Sequence, residues 1–260
     1  MLTAAQRHEL ETHGFTYLRG VISSTEAGAI EDRIWAFLAR RDIQRTDPRT
    51  WPCGLLTHVQ ELRKTHVFAP FTNALLASVV DELLGEGSWT QNNDAGQALL
   101  SFPEPGPWQI PHKTWHFDLP AKGPTDRLYV VRAFGYAATV APRGGATLFV
   151  EGSPQLVRRM VEESPDGAAG RAADARRRLT ARSAWFKSLC SAGGDRIDRF
   201  MVDGDELDGV RMRVVEAIGN AGDVCLMHPW MLHNIAMNCA DRPRFMMTQT
   251  FLRHDNVYYR

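Results

Sequence analysis

Two short segments of the chain carry side chains able to hold a metal ion. The first contains His116 and Asp118, and the second begins at His233, more than a hundred residues later. Two imidazoles and one carboxylate, with open positions on the opposite side of the ion, form the ligand set of non-haem Fe(II) oxygenases. Arg244 follows His233 by eleven residues, and its guanidinium can hold an acidic cosubstrate by two hydrogen bonds. These four residues predict an oxidative metal site.

We expect the first segment to lie in a strand, which would set the direction of its side chains. In a strand, residues two apart point to the same face, so His116 and Asp118 would project together while Phe117 turns away. A His-x-Asp triplet alone is weak evidence, because such triplets arise by chance in many chains. The second segment strengthens the prediction of a metal site, because a Gly-Asp turn at 222–223 leads into an apolar strand that ends at His233.

The second segment also contains a rival ligand, His228. It lies five residues before His233, and in an unbroken strand two residues at that offset face opposite ways. The spacing to Arg244 favours His233 over His228 as the distal metal ligand. His228 is then expected in the pocket or directly behind the ligands.

The elements that must position these residues change in character along the chain. The first ninety residues predict helices with one early strand, Phe15–Leu18. Thr3 is expected to cap a helix that runs to about His13, and Ser23 with Glu26 forms a capping-box pattern before a second helix. A further apolar helix is expected over Phe71–Leu84, ended by Gly85.

From about Trp89 onward, short apolar runs alternate with Gly and Pro clusters, a pattern that predicts a β-sandwich or barrel. Residues 154–192, rich in Ala and Arg, interrupt this series and predict a helical insertion. Its arginine-rich stretch at 171–178 is expected to be a solvated helix face, because the whole chain is neutral. The predicted strands are Gln97–Phe102, Leu128–Val140, Thr147–Val150, Arg211–Ala217, Asp223–Met227, Met231–Met237 and Phe245–Leu252.

Composition excludes several classes of function. The 260 residues have a formal net charge of +0, so no general attraction to nucleic acid or to anionic membranes is expected. The sequence contains no run of 18 or more apolar residues, so no membrane-spanning helix is predicted. The first ten residues are too polar for a signal peptide. The 4 cysteines form no CxxC pair and are expected to be reduced thiols of a cytoplasmic protein, a monomer or homodimer.

The combination of motifs resembles the phytanoyl-CoA dioxygenase family of Fe(II)/2-oxoglutarate-dependent oxygenases. The resemblance rests on the triplet at 116–118, the strand-turn at 144–153, the Gly-Asp turn leading to His233, and then Asn238 and Arg244. It spans roughly residues 97–252. It implies a double-stranded β-helix (a jelly roll) with flanking helices, Fe(II) bound by His116, Asp118 and His233, and 2-oxoglutarate bound by Arg244, with O₂ as the oxidant.

The implied domain is a single oxygenase domain over residues 1–260. Residues 1–88 would form mainly helical support, 89–153 and 200–260 the jelly-roll core, and 154–199 the helical insertion, which is able to act as a lid if Trp185 and Phe186 face the site.

Three positions depart from the family pattern. Pro154 stands where the family often has His, Ile235 stands where many members carry a hydroxyl residue two after the distal His, and Phe117 stands where a polar residue is frequent. No departure removes a metal ligand. The loss of a hydroxyl at Ile235 means that one expected cosubstrate contact must come from elsewhere.

The reaction implied is hydroxylation of an unactivated C–H bond, with release of succinate and CO₂. Related halogenases carry a small residue at the position of Asp118, so the carboxylate argues against halogenation. Desaturation, cyclisation and epoxidation stay open. Two other classes also stay open: a cupin-like metal-dependent isomerase or hydrolase without 2-oxoglutarate, and a non-catalytic ligand-binding jelly roll.

The substrate is expected to be a small metabolite or natural-product intermediate, because no cluster of Lys and Arg near the motifs predicts binding of a CoA nucleotide. Gln97 and Thr147 are expected to contact 2-oxoglutarate or substrate. Arg132 lies in an apolar run and is expected either to hold an anionic substrate group or to pair with a carboxylate such as Glu151. The remaining candidates for the substrate pocket are Trp108, Lys113, Trp185, His228 and Trp230.

Overall fold

Two main antiparallel sheets, two small two-stranded sheets and a set of flanking helices make up the computed structural model, which describes residues 1–91 and 96–258. The strands are β1 (Phe15–Leu18), β2 (Gly54–Leu56), β3 (Trp89–Gln91), β4 (Gln97–Phe102), β5 (Ala121–Lys122), β6 (Val130–Tyr136), β7 (Thr147–Val150), β8 (Ala168–Gly170), β9 (Asp205–Leu207), β10 (Val210–Met212), β11 (Val214–Ala217), β12 (Val224–Met227), β13 (His233–Ile235) and β14 (Arg244–Arg253). The helices are α1 (Ala4–Thr12), α2 (Ser24–Ala39), α3 (Gln60–Lys64), α4 (Ala74–Leu84), α5 (Ser153–Glu162), α6 (Ala172–Arg182) and α7 (Ala184–Leu189).

The larger sheet has the strand order β1-β12-β6-β14-β4-β2, and β3 pairs with the far end of β14. The smaller sheet has the order β11-β7-β13. Non-sequential neighbours of this kind are typical of a jelly roll, so the predicted fold, a mainly β jelly-roll core with flanking helices, is confirmed. Two N-terminal strands, β1 and β2, lie at opposite edges of the larger sheet, which makes the N-terminal region part of the core.

The two faces of β14 have different partners. Phe245, Met247 and Phe251 pack into the apolar core that includes helices α2 and α4. Arg244 and Thr248 point to the opposite face and line a cavity. This alternation follows from the period of two in a strand, and it places the polar residues of β14 between the two sheets.

The predicted N-terminal caps of the first two helices are confirmed, and Gly85 ends the third predicted helix. Thr3 and Ser23 each cap a helix, with the reciprocal capping-box bonds in place. The helix expected from Phe71 instead begins at Ala74, because the Asn73 side chain accepts a hydrogen bond from the backbone N–H of Leu76 and caps it there. The strand β2 is absent from the sequence prediction.

The predicted strand Arg211–Ala217 is wrong as a single element. It divides at Arg213 into β10, which pairs with β9, and β11, which pairs with β7. The predicted strands Leu128–Val140 and Met231–Met237 are shorter in the structure, at Val130–Tyr136 and His233–Ile235. Apolar sequence extends past the residues that have a strand partner, so hydrophobicity alone overestimates these lengths.

The insertion is helical as predicted, with α5, α6 and α7, although it also contributes β8, which pairs with β5. Three of the four arginines in its arginine-rich stretch are exposed, and Arg176 is half-buried. Within the described ranges, no helix has both the length and the apolar character needed to cross a membrane.

Candidate metal centre

His116 and His233 lie directly opposite each other in an antiparallel bridge. The N–H of His116 donates to the carbonyl of His233 at 3.1 Å, and the N–H of His233 donates to the carbonyl of His116 at 3.0 Å. Directly opposed residues of an antiparallel pair put their side chains on the same face. The two ring centroids are accordingly 4.2 Å apart.

Each of these rings is oriented by a backbone carbonyl two residues before it. Nδ1 of His116 lies 2.8 Å from the carbonyl oxygen of Thr114, and Nδ1 of His233 lies 3.0 Å from that of Met231. A carbonyl only accepts hydrogen bonds, so Nδ1 must carry the proton in both rings. The lone pair of each imidazole is therefore on Nε2, the atom that would coordinate a metal.

Asp118 completes the cluster. Its Oδ1 lies 3.8 Å from Nε2 of His116, and its Oδ2 lies 3.6 Å from Nε2 of His233. One ligand atom from each of the three residues lies within 4.8 Å of the others. Metal–ligand bonds are about 2.1 Å long, so three ligand atoms this close together fit coordination of one ion.

The segment that carries Asp118 differs from the expected strand. Only His116 makes a strand-like bridge, and the chain then bends at Asp118. Phe117 is buried in the apolar core as predicted, while the neighbouring ligands face the cavity. The bridge to His233 replaces a regular strand as the element that fixes this ligand pair.

The cluster is enclosed on one side and open on the other. The side chains of His233 and Asp118 are 8% and 18% exposed, whereas that of His116 is 54% exposed. Burial lowers the pKa of His233 below its ordinary value, and the attraction of Asp118 opposes this shift with a smaller effect. The neutral imidazole is the form that binds a metal, so burial keeps this ligand ready for coordination at neutral pH.

Arg132 on β6 pairs with Asp118 and not with Glu151. Its Nη1 lies 3.1 Å from Oδ2 of Asp118, whereas Glu151 accepts from Nε of Arg213 at 2.5 Å. No donor in the described part of the chain reaches Oδ2 of Asp118 at a hydrogen-bonding angle, although that atom is buried. Asp118 therefore keeps coordinating capacity while Arg132 balances its charge.

Replacement of Arg132 by methionine is expected to weaken metal binding by about 10- to 100-fold, the usual effect of removing a group that orients a ligand. The ligand atoms themselves are unchanged, so the effect would come from the orientation and charge of Asp118. Mn(II) titration followed by isothermal calorimetry measures it. An Arg132→Met protein with wild-type Mn(II) affinity would contradict this role.

Arg244 lies almost completely buried at the start of β14, and its side chain is only partly satisfied. Nη1 donates to the carbonyl of Gly145 at 2.6 Å, whereas Nε and Nη2 have no partner among the described residues. Gly145 has a φ of +77°, and a Cβ there would lie 2.9 Å from both Asn238 and Ser101, so only glycine fits this turn. Burial lowers the pKa of Arg244 to about 10, which leaves the guanidinium charged at neutral pH.

One cavity of about 590 Å³ brings these groups together. His116, Asp118 and His233 line it, and so does Arg244. Three further residues named from the sequence, Gln97, Thr147 and Arg132, also line this cavity. A cluster of possible metal ligands at one side, and at another side a buried guanidinium with two nitrogens that have no partner among the described residues, are the features of a site for a chelating acid.

The other candidates for the substrate pocket lie elsewhere. Trp108, Trp185 and Trp230 are buried in the apolar core around the insertion, and Lys113 is exposed. None of the four lines the cavity around the cluster. Large apolar side chains fill cores more often than sites, and a sequence does not distinguish the two locations.

His228 is also outside the cavity. Its backbone N–H donates to the carbonyl of Gly14, and its Nδ1 accepts from the backbone N–H of Trp230 at 3.0 Å. The turn between β12 and β13 is fixed in this way, so His228 serves the local structure rather than the pocket. Burial lowers the pKa of His228 to about 3.

Acid sensitivity is expected from His228. Its pKa is about 6.5 in an unfolded chain and lower in the folded protein, so its stabilisation is complete above pH 6.5 and is lost as the pH falls. Between pH 7.5 and pH 5 the loss is about 2 kcal/mol. Urea unfolding at both pH values measures it, and His228→Asn, whose amide oxygen can still accept from Trp230, should show a loss smaller by that amount. Equal losses in both proteins would contradict the assignment.

Asn234, directly after the distal histidine, was not predicted from the sequence. Its side chain donates to the carbonyl of Lys113 at 2.6 Å and accepts from the hydroxyl of Thr114 at 3.0 Å. Thr114 has a φ of +64°, a backbone conformation that costs energy for this residue type. The buried amide thus holds the strained turn from which His116 projects. Apart from His233, Asn234 is the only polar residue in the predicted strand Met231–Met237, and this was the available signal.

The insertion is fastened to the segment that precedes His116. All the side-chain nitrogens of Arg196 donate to backbone carbonyls, including those of Ile110 at 2.8 Å and Pro111 at 3.1 Å. Arg176 donates to the carbonyl of Trp115 at 2.7 Å. Trp185 packs against Phe200 in the core, with ring centroids 5.2 Å apart, so the expectation that Trp185 faces the site as part of a lid is wrong.

Similar folds occur among solved structures of other proteins. HygX from Streptomyces hygroscopicus, solved with nickel, 2-oxoglutarate and hygromycin B bound, has 17% identity and a TM-score of 0.54, over 100% of this chain and 90% of its own. The epimerase SnoN, solved with Fe3+, alpha ketoglutarate and nogalamycin RO, has 15% identity and a TM-score of 0.53, over 96% of this chain and 82% of its own.

AviO1 from Streptomyces viridochromogenes Tue57 has 15% identity and a TM-score of 0.54, over 98% of both chains. No family model and no curated protein matches this sequence. At these identities the comparisons establish a common fold: the chain has the jelly-roll architecture in which HygX binds its metal and 2-oxoglutarate.

Proposed function

We propose that this protein is an Fe(II)- and 2-oxoglutarate-dependent dioxygenase that hydroxylates an unactivated C–H bond of a small metabolite or natural-product intermediate. His116, Asp118 and His233 would bind the iron. Arg244 would bind the distal carboxylate of 2-oxoglutarate, and Gln97 and Thr147 would contact the same cosubstrate. The products are the hydroxylated substrate, succinate and CO₂.

One observation carries the proposal: a three-ligand metal cluster and an incompletely paired, buried guanidinium share one cavity. A buried cation without a carboxylate partner is costly unless a ligand supplies the counter-charge. Oδ2 of Asp118, buried and without a hydrogen bond, fits coordination in the same way. 2-Oxoglutarate offers a chelating keto acid and a second carboxylate, which match the two features.

The ligands of the similar structures support the same cofactors and substrate class. HygX is described with a metal, 2-oxoglutarate and hygromycin B bound, and SnoN with iron, alpha ketoglutarate and nogalamycin RO. Hygromycin B and nogalamycin RO are small molecules rather than proteins or nucleic acids. A cavity of about 590 Å³ is within the usual range for a small-molecule site.

Bound iron would supply the activation of O₂, coupled to decarboxylation of 2-oxoglutarate. The protein's own residues orient the reactants and exclude water. Buried His233 stays neutral, Arg132 balances the charge of Asp118, and Arg244 holds the acid end of the cosubstrate inside the cavity. The exposed side of His116 leaves room for a substrate to approach the metal from solvent.

Two features bear on the outcome of the reaction. Asp118 would itself take the ligand position that a small residue leaves to the halide in related halogenases, so hydroxylation is favoured over halogenation. SnoN is an epimerase with iron and alpha ketoglutarate bound, which makes epimerisation the second candidate. Mass spectrometry separates the two, because a hydroxylated product gains one oxygen atom whereas an epimer keeps the mass of its substrate.

The experiment is a screen of small natural-product scaffolds with Fe(II), 2-oxoglutarate and O₂, in which succinate is measured by chromatography. We expect substrate-stimulated succinate release that requires all three additions. Turnover of a substrate without 2-oxoglutarate would support instead a cupin-like isomerase or hydrolase. Binding without turnover of any kind would support a non-catalytic jelly roll.

A further inference from the structure

Thr248 is a second polar residue on the inner face of β14, four residues after Arg244. Its side chain lines the same cavity, and the residue is 7% exposed. Its hydroxyl is buried and has no hydrogen-bond partner in the described ranges. A buried hydroxyl without a partner is unfavourable, so Thr248 fits a position where a bound molecule supplies the acceptor.

The surroundings of Thr248 explain why this hydroxyl matters. Ile235, on the opposite sheet, lines the cavity two residues after His233 but has no polar atom. Ser101 is the other unpartnered buried hydroxyl nearby and is the register partner of Arg244. However, Ser101 does not line the cavity. Thr147 also lines the cavity, but Thr248 is on the same strand as Arg244 and its buried hydroxyl has no partner among the described residues.

We propose that the hydroxyl of Thr248 donates a hydrogen bond to the 2-oxoglutarate that Arg244 holds. This inference rests on the proposed function and adds one binding residue to it. A hydroxyl donor to a carboxylate makes a charge-assisted bond, which is stronger than a neutral one. Thr248 would thus supply from the larger sheet the contact that Ile235 does not supply from the smaller sheet.

The test is calorimetric titration of 2-oxoglutarate into the Mn(II)-loaded protein without O₂. Thr248→Val keeps the side-chain shape and is expected to raise the Kd about tenfold, whereas Thr248→Ser keeps the hydroxyl and most of the affinity. Ser101→Ala is the matched control and should bind normally. In the Thr248→Val background, Ile235→Thr returns a hydroxyl to the cavity and should recover part of the loss.

The outcomes separate this inference from the proposed function. Wild-type protein that fails to bind 2-oxoglutarate would overturn both. Wild-type binding together with unchanged binding by Thr248→Val would overturn the role of Thr248 alone. A loss confined to Ser101→Ala would also overturn it. Melting temperatures of the metal-loaded variants show whether each variant is folded.

A separate observation concerns the substrate. A second cavity of about 340 Å³ adjoins the first, and Leu55, Gln97 and Leu99 line both. Leu55 is 50% exposed and forms part of the apolar lining that the two cavities share. The extended groove runs from the metal cluster over β2 to helix α3.

The groove has apolar walls and a basic end. Leu56 and Val59 contribute apolar surface, and His58 and Arg63 lie in the same lining. The side chain of Arg63 makes no ion pair or hydrogen bond within residues 1–91 and 96–258. Among the described residues that line the two cavities, Asp118 is the only carboxylate.

We infer that the substrate is an elongated molecule with an apolar body and an anionic group that lies near Arg63. The groove shares three lining residues with the cavity of the proposed reaction site, which favours the substrate over a protein partner as its occupant. This inference rests on the proposed function for the identity of the reaction, but the binding that it predicts is independent of 2-oxoglutarate.

The probe is 8-anilinonaphthalene-1-sulfonate, an apolar dye with one anionic group, titrated by fluorescence into the Mn(II)-loaded protein. Arg63→Glu and Leu55→Asn are each expected to raise its Kd at least fivefold. Lys64→Glu is the matched control, because Lys64 is exposed on the same helix and lines neither cavity. Octanoate should displace the dye at lower concentration than its methyl ester.

Equal dye affinity in wild type, Arg63→Glu and Leu55→Asn would overturn the groove as a binding site. Equal displacement by octanoate and its ester would overturn the anionic requirement. These measurements need no 2-oxoglutarate, so a failure of the proposed function leaves their outcome readable.

Discussion

Replacement of His233 by alanine is expected to reduce metal affinity by more than about 100-fold and to abolish succinate release. Removing an orienting group alone costs up to about 100-fold, and this change removes a ligand itself. The metal content of protein that has been loaded with Fe(II) without O₂ and then desalted measures the effect.

The matched control for this prediction is His228→Asn, in the same segment. His228 was the rival distal ligand in the sequence, but it lies outside the cavity and bonds to the turn at Trp230. We expect His228→Asn to keep its metal. The assignment would be wrong if His233→Ala kept its metal while His228→Asn lost it.

Replacement of Arg244 by methionine is expected to weaken 2-oxoglutarate binding by at least about 100-fold, because removing one partner of a buried charge pair costs about 2–5 kcal/mol. Methionine has a similar length and is able to fill the space of the arginine stem. The free protein should be as stable as wild type or more stable, since the change removes a buried charge with two nitrogens that have no partner among the described residues.

Calorimetric titration of 2-oxoglutarate and thermal unfolding of the metal-loaded protein without cosubstrate measure the two effects separately. Arg242→Met is the matched control, because Arg242 is exposed two residues earlier and should affect neither quantity. Loss of stability in parallel with loss of binding would indicate a structural role for Arg244 instead of a binding role.

The ligand cluster was predictable because its parts are local. The His-x-Asp triplet and the apolar strand that leads to His233 are sequence patterns, and the antiparallel bridge between His116 and His233 brings them together. Residue types and spacing indicate which atoms are available as metal ligands. The sequence does not predict that an isolated antiparallel bridge to His233, rather than a regular strand, positions His116.

The polar contacts around the cluster were less predictable because they depend on register between distant strands. Arg132 and its partner Asp118 are on different elements, so the sequence left Glu151 open as an alternative. The role of Thr248 was inferred only from its unpaired hydroxyl, and the role of Asn234 only from its hydrogen bond to Lys113. A buried polar group is visible in the sequence as a residue type, but its partner is visible only in the fold.

The tryptophans were given a functional role by the sequence that they do not have in the structure. Trp108, Trp185 and Trp230 were candidates for the pocket because they stand near motif residues or in the insertion. All three pack in the core around the insertion, where their area contributes to stability. Arg196, which binds backbone carbonyls on both sides of this contact, fixes the insertion in place without any sequence motif.

The most direct test of the central proposal is anaerobic addition of 2-oxoglutarate to the Fe(II)-loaded protein, followed by visible absorption spectroscopy. Chelation of the iron by the keto acid gives a weak metal-to-ligand charge-transfer band. We predict that the band appears in wild type, weakens at equal cosubstrate concentration in Arg244→Met and is absent in His233→Ala. Wild-type protein that binds Fe(II) and gives no band at saturating 2-oxoglutarate would contradict the account.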